Sequence, residues 1–162
     1  YASDVNGDGI TELPRAVLMA GYKDTSSSDA VYMLDWYAYG IGKVPTKVAT
    51  TYQNISDAWS LLIDQKWHDR ITAIKANDGG LSYVEFFEYR KNKMSIPLFN
   101  IYCATGSNRE YYAERTDLIQ LGQTTQAIYF AKLTNEGEQS ELALTGDEIK
   151  ARFSLVNQAW NN

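Results

Sequence analysis

The amino-acid sequence predicts an α+β fold that is mostly antiparallel β-sheet, with one short helix and a C-terminal amphipathic helix packed on the sheet. Three observations lead there. The 162 residues include 12 tyrosines, 5 phenylalanines and 4 tryptophans, an aromatic load that suits half-buried strand surfaces. Asn77-Asp78-Gly79-Gly80 is a strong hairpin signal, because Asp-Gly tolerates positive φ. Thr145 and Glu148 have the spacing of a capping box, and Ile149, Phe153, Val156 and Trp160 then recur at helical intervals along one stripe.

The elements follow in chain order. Residues 4–12 are an acidic, turn-rich loop, and 13–20 an apolar strand entered through Pro14, whose missing N–H is tolerated at a strand start. After a polar connector at 24–29, an aromatic strand (30–39), a turn (40–43) and a Thr/Val-rich strand (44–52) make a hairpin. Composition turns polar at 53–57, which predicts a boundary: a partial β-unit over 1–53, then an α+β domain over 54–162. In the second unit strands are expected at 58–63, 70–76 and 81–89. A basic turn (Arg90, Lys91, Lys93) leads through Pro97 into a strand at 98–104, where Phe99, Ile101 and Cys103 share one face. Ser107 suits the N-cap of a short helix over 107–115. Strands at 117–121 and 127–133 flank a Gly-Gln-Thr-Thr turn, and the capped helix closes the chain.

A formal net charge of −5 without any basic run sets up a field that repels phosphate backbones, so nucleic acid is not an expected partner. No run of about 18 apolar residues is present, so no transmembrane segment is expected. The single cysteine, Cys103, rules out an internal disulfide and does not decide the redox compartment. The chain opens at Tyr1 inside what reads as a motif, which suggests a piece of a longer secreted or lipid-anchored precursor.

One stretch carries chemistry. Asp4-Val5-Asn6-Gly7-Asp8-Gly9-Ile10-Thr11-Glu12 alternates oxygen-bearing residues in the order D-x-N-x-D-G-x-x-E. Calcium takes six to eight oxygens at about 2.3–2.6 Å. Side chains of Asp4, Asn6, Asp8 and Glu12, with the Ile10 carbonyl, can wrap one such ion if Gly9 allows the sharp turn. The same residues also suit a plain acidic turn whose side chains cap its own amides. An EF-hand needs an acid at the twelfth place, where this chain has Arg15. The stretch from Asp4 to Ala20 resembles instead the calcium loop of FG-GAP/VCBS-type repeats, the blades of integrin-like propellers, with Glu12 where that family usually has Asp. The resemblance implies a structural calcium ion and an extracellular or cell-surface setting.

A second resemblance covers Asn54 to Trp160. The run Trp59 to Trp67, the Asp-Gly-Gly hairpin, Val84-Glu85-Phe86-Phe87, Pro97 to Tyr102 and Ala127 to Ala131 look like uncharacterised domains of Gram-positive gut bacterial lipoproteins. The fold implied is similar to that of the extrinsic photosystem II proteins.

Enzyme signals are sparse. His68 is the single histidine, no nucleophile elbow accompanies it, and one His with one Cys supplies too few zinc ligands. Cys103, on an apolar strand face, reads as a buried thiol. Asp35, Asp64, Glu85 and Glu88 lie on or near strands and keep a glycan hydrolase open as the alternative. Trp36, Tyr37 and Tyr39 on one strand, or Tyr111 and Tyr112 on the short helix, are candidates for a carbohydrate or peptide platform, because flat rings stack on sugar faces and anchor interfaces. Core packing is the other use for the same rings. The expected function is a non-catalytic binding or scaffolding module with one structural calcium loop and a carbohydrate or protein ligand.

Overall fold

The computed structural model describes residues 2–22 and 30–156. Among them, ten strands form two five-stranded sheets in which all neighbours are antiparallel. The first sheet runs in the order β1 (Leu13–Leu18), β2 (Tyr32–Ala38), β3 (Thr46–Asn54), β4 (Trp59–Leu62), β10 (Phe153–Leu155). The second runs β5 (Ile71–Asp78), β6 (Leu81–Arg90), β7 (Lys93–Thr105), β9 (Ala127–Leu133), β8 (Ile119–Gln123). The mostly antiparallel architecture expected from the aromatic pattern is therefore present. The boundary expected at residue 53 falls in the β3–β4 hairpin, so residues on both sides of it share one sheet.

One hydrophobic cluster joins the sheets. Tyr52 of the first, beside Trp59, packs against Phe86 of the second, with ring centroids of Tyr52 and Phe86 5.5 Å apart. The alternation of strand side chains sets which residues reach this core: Val84 and Phe86 on β6, then Phe99, Ile101 and Cys103 on β7 as the sequence pattern predicts, all point inward. Two hydroxyls stitch the layers by donating to backbone carbonyls across them, Tyr22 to Ala73 (2.6 Å) and Tyr129 to Asp57 (2.6 Å).

Turn chemistry fixes the register of sheet two. Asp78 pairs with Leu81 across a two-residue turn in which Gly79 has φ +62°, the left-handed conformation that a primed hairpin turn requires. Lys91 and Asn92, at φ +50° and +60°, make the corresponding turn between Arg90 and Lys93. The expected basic turn is thus tighter than the sequence suggests, and β7 begins at Lys93 with Pro97 inside it. Pro97 is accommodated because the ladder to β6 shifts register beside it, while β9 pairs with β7 only from Phe99 onward, so no ladder bond is lost.

Helices are short. The one expected over 107–115 is a single turn, α1 (Glu110–Ala113), whose N-cap is Arg109 rather than Ser107 and makes no side-chain capping bond. Another turn, α2 (Asn135–Glu138), is capped by Thr134 and was not expected. At the C-terminal end the Thr145–Glu148 capping box is formed, and α3 (Gly146–Arg152) buries Ile149. The expected stripe does not continue: Phe153 turns to extended backbone and pairs with Leu61 as the first residue of β10. There it stacks on Trp59 at 5.9 Å and meets Tyr129 at 5.7 Å, so aromatic packing on the sheet outweighs helix propensity at that residue. The connector expected at 24–29 and Trp160 lie outside the described residues. No described helix is long and apolar enough to cross a membrane.

Candidate functional site: an acidic loop and an end cleft

The acidic loop is closed at its neck. Ser3 and Glu12 form an antiparallel bridge, exchanging N–H···O bonds of 3.1 and 2.9 Å immediately before β1. Gly7 and Gly9, at φ +76° and +83° with open space around both, let the chain curl inward. Asp4 is the hub: Oδ1 accepts the amides of Gly7 (2.7 Å) and Asp8 (3.1 Å), and Oδ2 that of Gly9 (2.8 Å). Asn6 Oδ1 accepts from the Asp8 amide (3.0 Å), and Asp8 Oδ1 from that of Ile10 (2.8 Å).

Those bonds are what a self-capping acidic turn would make, and they also hold the carboxylates in place. Glu12 is different. Its side chain is 0% exposed, Oε2 accepts the Val5 amide at 2.9 Å, and Oε1 is buried with no partner among the described residues. A buried carboxylate oxygen without a partner is costly, and nothing in a plain turn repays it. One carboxylate oxygen from each of Asp4, Asp8 and Glu12 lies within 4.8 Å of the others. Three carboxylate oxygens that close together could hold one metal ion. Ile10, whose carbonyl is the expected fifth ligand, sits half-exposed on the outer turn.

Of the two expected aromatic platforms, the one on β2 does not hold as a unit, while Tyr111, 64% exposed, and Tyr112 line one hollow with Ser107 and Asn108. Trp36 is 1% exposed and its indole N–H donates to Thr51 Oγ1 at 2.9 Å, which removes it from any ligand surface. Tyr37 is partly buried under the Arg15 guanidinium, 5.0 Å from its ring centre, and Tyr39 is 49% exposed. On the outer side of sheet two, Tyr102, Phe130 and Tyr112 stack nearly parallel at 4.8 and 5.0 Å. The face of Tyr112 is therefore spent on Phe130, while Tyr111 offers its own ring to Arg115 at 5.5 Å.

The strand acids divide. Glu88 is buried beneath sheet two, taking Arg90 Nε at 2.5 Å and the Ser140 hydroxyl at 2.9 Å, a structural network. Asp35 and Asp64 instead line one cleft of about 660 Å³. On the inner face Met33, Tyr52 and Leu61 are core and Val17 beside them is half-buried; two residues further along, the same face carries Asp35 and Thr50, where the sandwich opens. Lys47 Nζ lies 2.9 Å from Asp35, whose Oδ1 also accepts the Thr50 hydroxyl, and Arg152 donates to Asp64 Oδ2 at 2.7 Å. Asp64 Oδ1 caps a short 3-10 turn, Gln65–Trp67, by accepting the Lys66 amide. His68 sits at the rim with Nε2 3.3 Å from Asp69 Oδ2, both well exposed, and Cys103 lies in the core.

The sequence reading missed this cleft. Its pairs join residues 12 and 88 positions apart, and no local spacing signals either. The one trace was that Asp35 and Asp64 stood on or near strands. Comparison with known protein families, curated proteins and solved structures finds no match for the chain.

Proposed function

We propose that the chain is a non-catalytic binding or scaffolding module of a secreted or cell-surface bacterial protein, stiffened near its N-terminus by a structural calcium ion. Asp4, Asn6, Asp8, Glu12 and the carbonyl of Ile10 hold the ion. The single observation that carries this reading is that Glu12, a buried carboxylate whose Oε1 has no partner among the described residues, has a carboxylate oxygen clustered with those of Asp4 and Asp8. A divalent cation supplies the missing partner, and it ties the Ser3–Glu12 bridge to the edge strand β1. Kinship with calcium-loop repeats and with surface lipoprotein domains belongs to the same proposal. Calorimetric titration of chelator-treated protein with calcium tests it: one saturable site is expected, lost in Asp8→Ala, and a flat titration overturns the metal and the surface setting with it.

A second reading, glycan hydrolysis by strand carboxylates, is favoured by the shared position of Asp35 and Asp64 in one cleft. A general acid must carry a proton for the leaving group, whereas both carboxylates here are engaged by cations, which supports binding over cleavage. Release of reducing ends from soluble glycans, abolished by Asp64→Asn, would reverse that preference.

A further inference from the structure

We infer that the cleft at the open end of the sandwich is the ligand site of this module and that it takes a neutral glycan of one or two sugar rings. The inference rests on the binding-module reading and is independent of the calcium loop. Its volume of about 660 Å³ lies within the range of small-ligand sites, roughly 300–1,000 Å³. Its walls combine apolar groups, Val17, Met33, Leu62 and Ile63, with the two cation–carboxylate pairs Lys47–Asp35 and Arg152–Asp64.

The chemistry of those pairs selects the ligand. Each presents hydrogen-bond donors and acceptors side by side: an ammonium or guanidinium has N–H groups beyond the one used in its pair, and a carboxylate has lone pairs beyond those already engaged. A vicinal diol needs that combination, because each hydroxyl both donates and accepts. The apolar walls match the C–H face of a pyranose ring. Charge argues the same way. An anionic ligand would meet Asp35, Asp64 and Asp69, and a cationic one Lys47 and Arg152, whereas a neutral polyol uses both members of each pair and leaves no buried charge unmatched.

Protein-observed NMR and calorimetry with methyl glucoside, N-acetylglucosamine, maltose and cellobiose, run in calcium, test the assignment. At least one of these is expected to bind saturably, with backbone shifts at Lys47, Thr50, Leu62 and Gln65. Lys47→Gln and Arg152→Gln, checked for native melting, should each weaken it at least about ten-fold, the cost of a hydrogen bond to a charged group, while Tyr111→Ala leaves it unchanged. Binding that survives both cleft substitutions, or glucuronate or glucosamine binding more tightly than the neutral sugars, overturns the inference and leaves the module reading standing. No saturable binding by any of the four sugars overturns the glycan assignment, while the calcium titration continues to report on the loop alone.

Discussion

Glu12→Gln separates the metal loop from an ordinary turn. In the wild type a fully buried carboxylate has one oxygen bonded to the Val5 amide and the other without a partner among the described residues. Glutamine keeps the shape and an oxygen for the Val5 amide but removes the buried charge, so without metal the variant should melt at or slightly above the wild type. With metal the order reverses. Calcium loops of extracellular modules bind at about 10⁻⁴–10⁻³ M, so at about 10 mM calcium a ligand specific to the folded state adds roughly 1.4–2.7 kcal/mol. For a chain of this size that is a rise of roughly 3–11 °C in melting temperature. Wild type should show the rise and Glu12→Gln should lose it, read by far-UV circular dichroism in calcium and in chelator. A variant that melts several degrees below wild type in chelator would mean that Glu12 is already satisfied without a metal. One that keeps the full calcium increment would mean the ion sits elsewhere.

Three further outcomes follow from packing and titration. Burial, and then the carboxylate of Asp57, push the Cys103 thiol up to about 11 from its ordinary value near 9; its contribution to stability is complete below about pH 9 and is lost as pH rises toward 11, because the unfolded thiol gives up its proton first. Thiol reagents at pH 8 should label native protein far more slowly than denatured protein, and Cys103→Ala should flatten part of the alkaline loss, the rest belonging to Tyr52 and Tyr129, also raised by burial. At Gly137 an added Cβ would stand 2.4 Å from the Leu98 carbonyl oxygen, so Gly137→Ala should cost about 1–3 kcal/mol by displacing α2 from β7, measured by urea unfolding. Trp67→Phe shrinks a fully buried ring and strips the Leu142 carbonyl of its 2.9 Å indole donor, for an expected loss of about 2–4 kcal/mol in the same assay; an unchanged midpoint would show that another donor reaches that carbonyl.

Helical spacing misled where strand pairing had more to offer. Ile149, Phe153 and Val156 lie on one helical stripe in the sequence, yet Phe153 gains Trp59 and Tyr129 by leaving the helix for the sheet edge. Trp36 looked like part of a surface row with Tyr37 and Tyr39, but it is buried, its indole N–H bonded to Thr51 on the face of β2 and β3 opposite Met33 and Tyr52. The polar stretch at 53–57 looked like a linker and is a hairpin turn, held by Asn54, Ser56 and Asp57 side chains bonding among themselves.

Local chemistry was decided by the sequence alone. Two glycines in an alternating run of acids dictate an inward-curling loop, Asp-Gly-Gly dictates a tight hairpin, and a threonine three residues before a glutamate dictates a helix start, because each interaction is made within a few residues of itself. The tertiary structure alone decided everything that depends on distant segments meeting. It buried Glu12 and left one of its oxygens unpaired, it turned Phe153 from helix to strand, and it brought Asp35, Lys47, Asp64 and Arg152 to one cleft. Burial and pairing of those groups are set by which strands become neighbours, and strand order is fixed by the shared core rather than by any residue's immediate sequence neighbours.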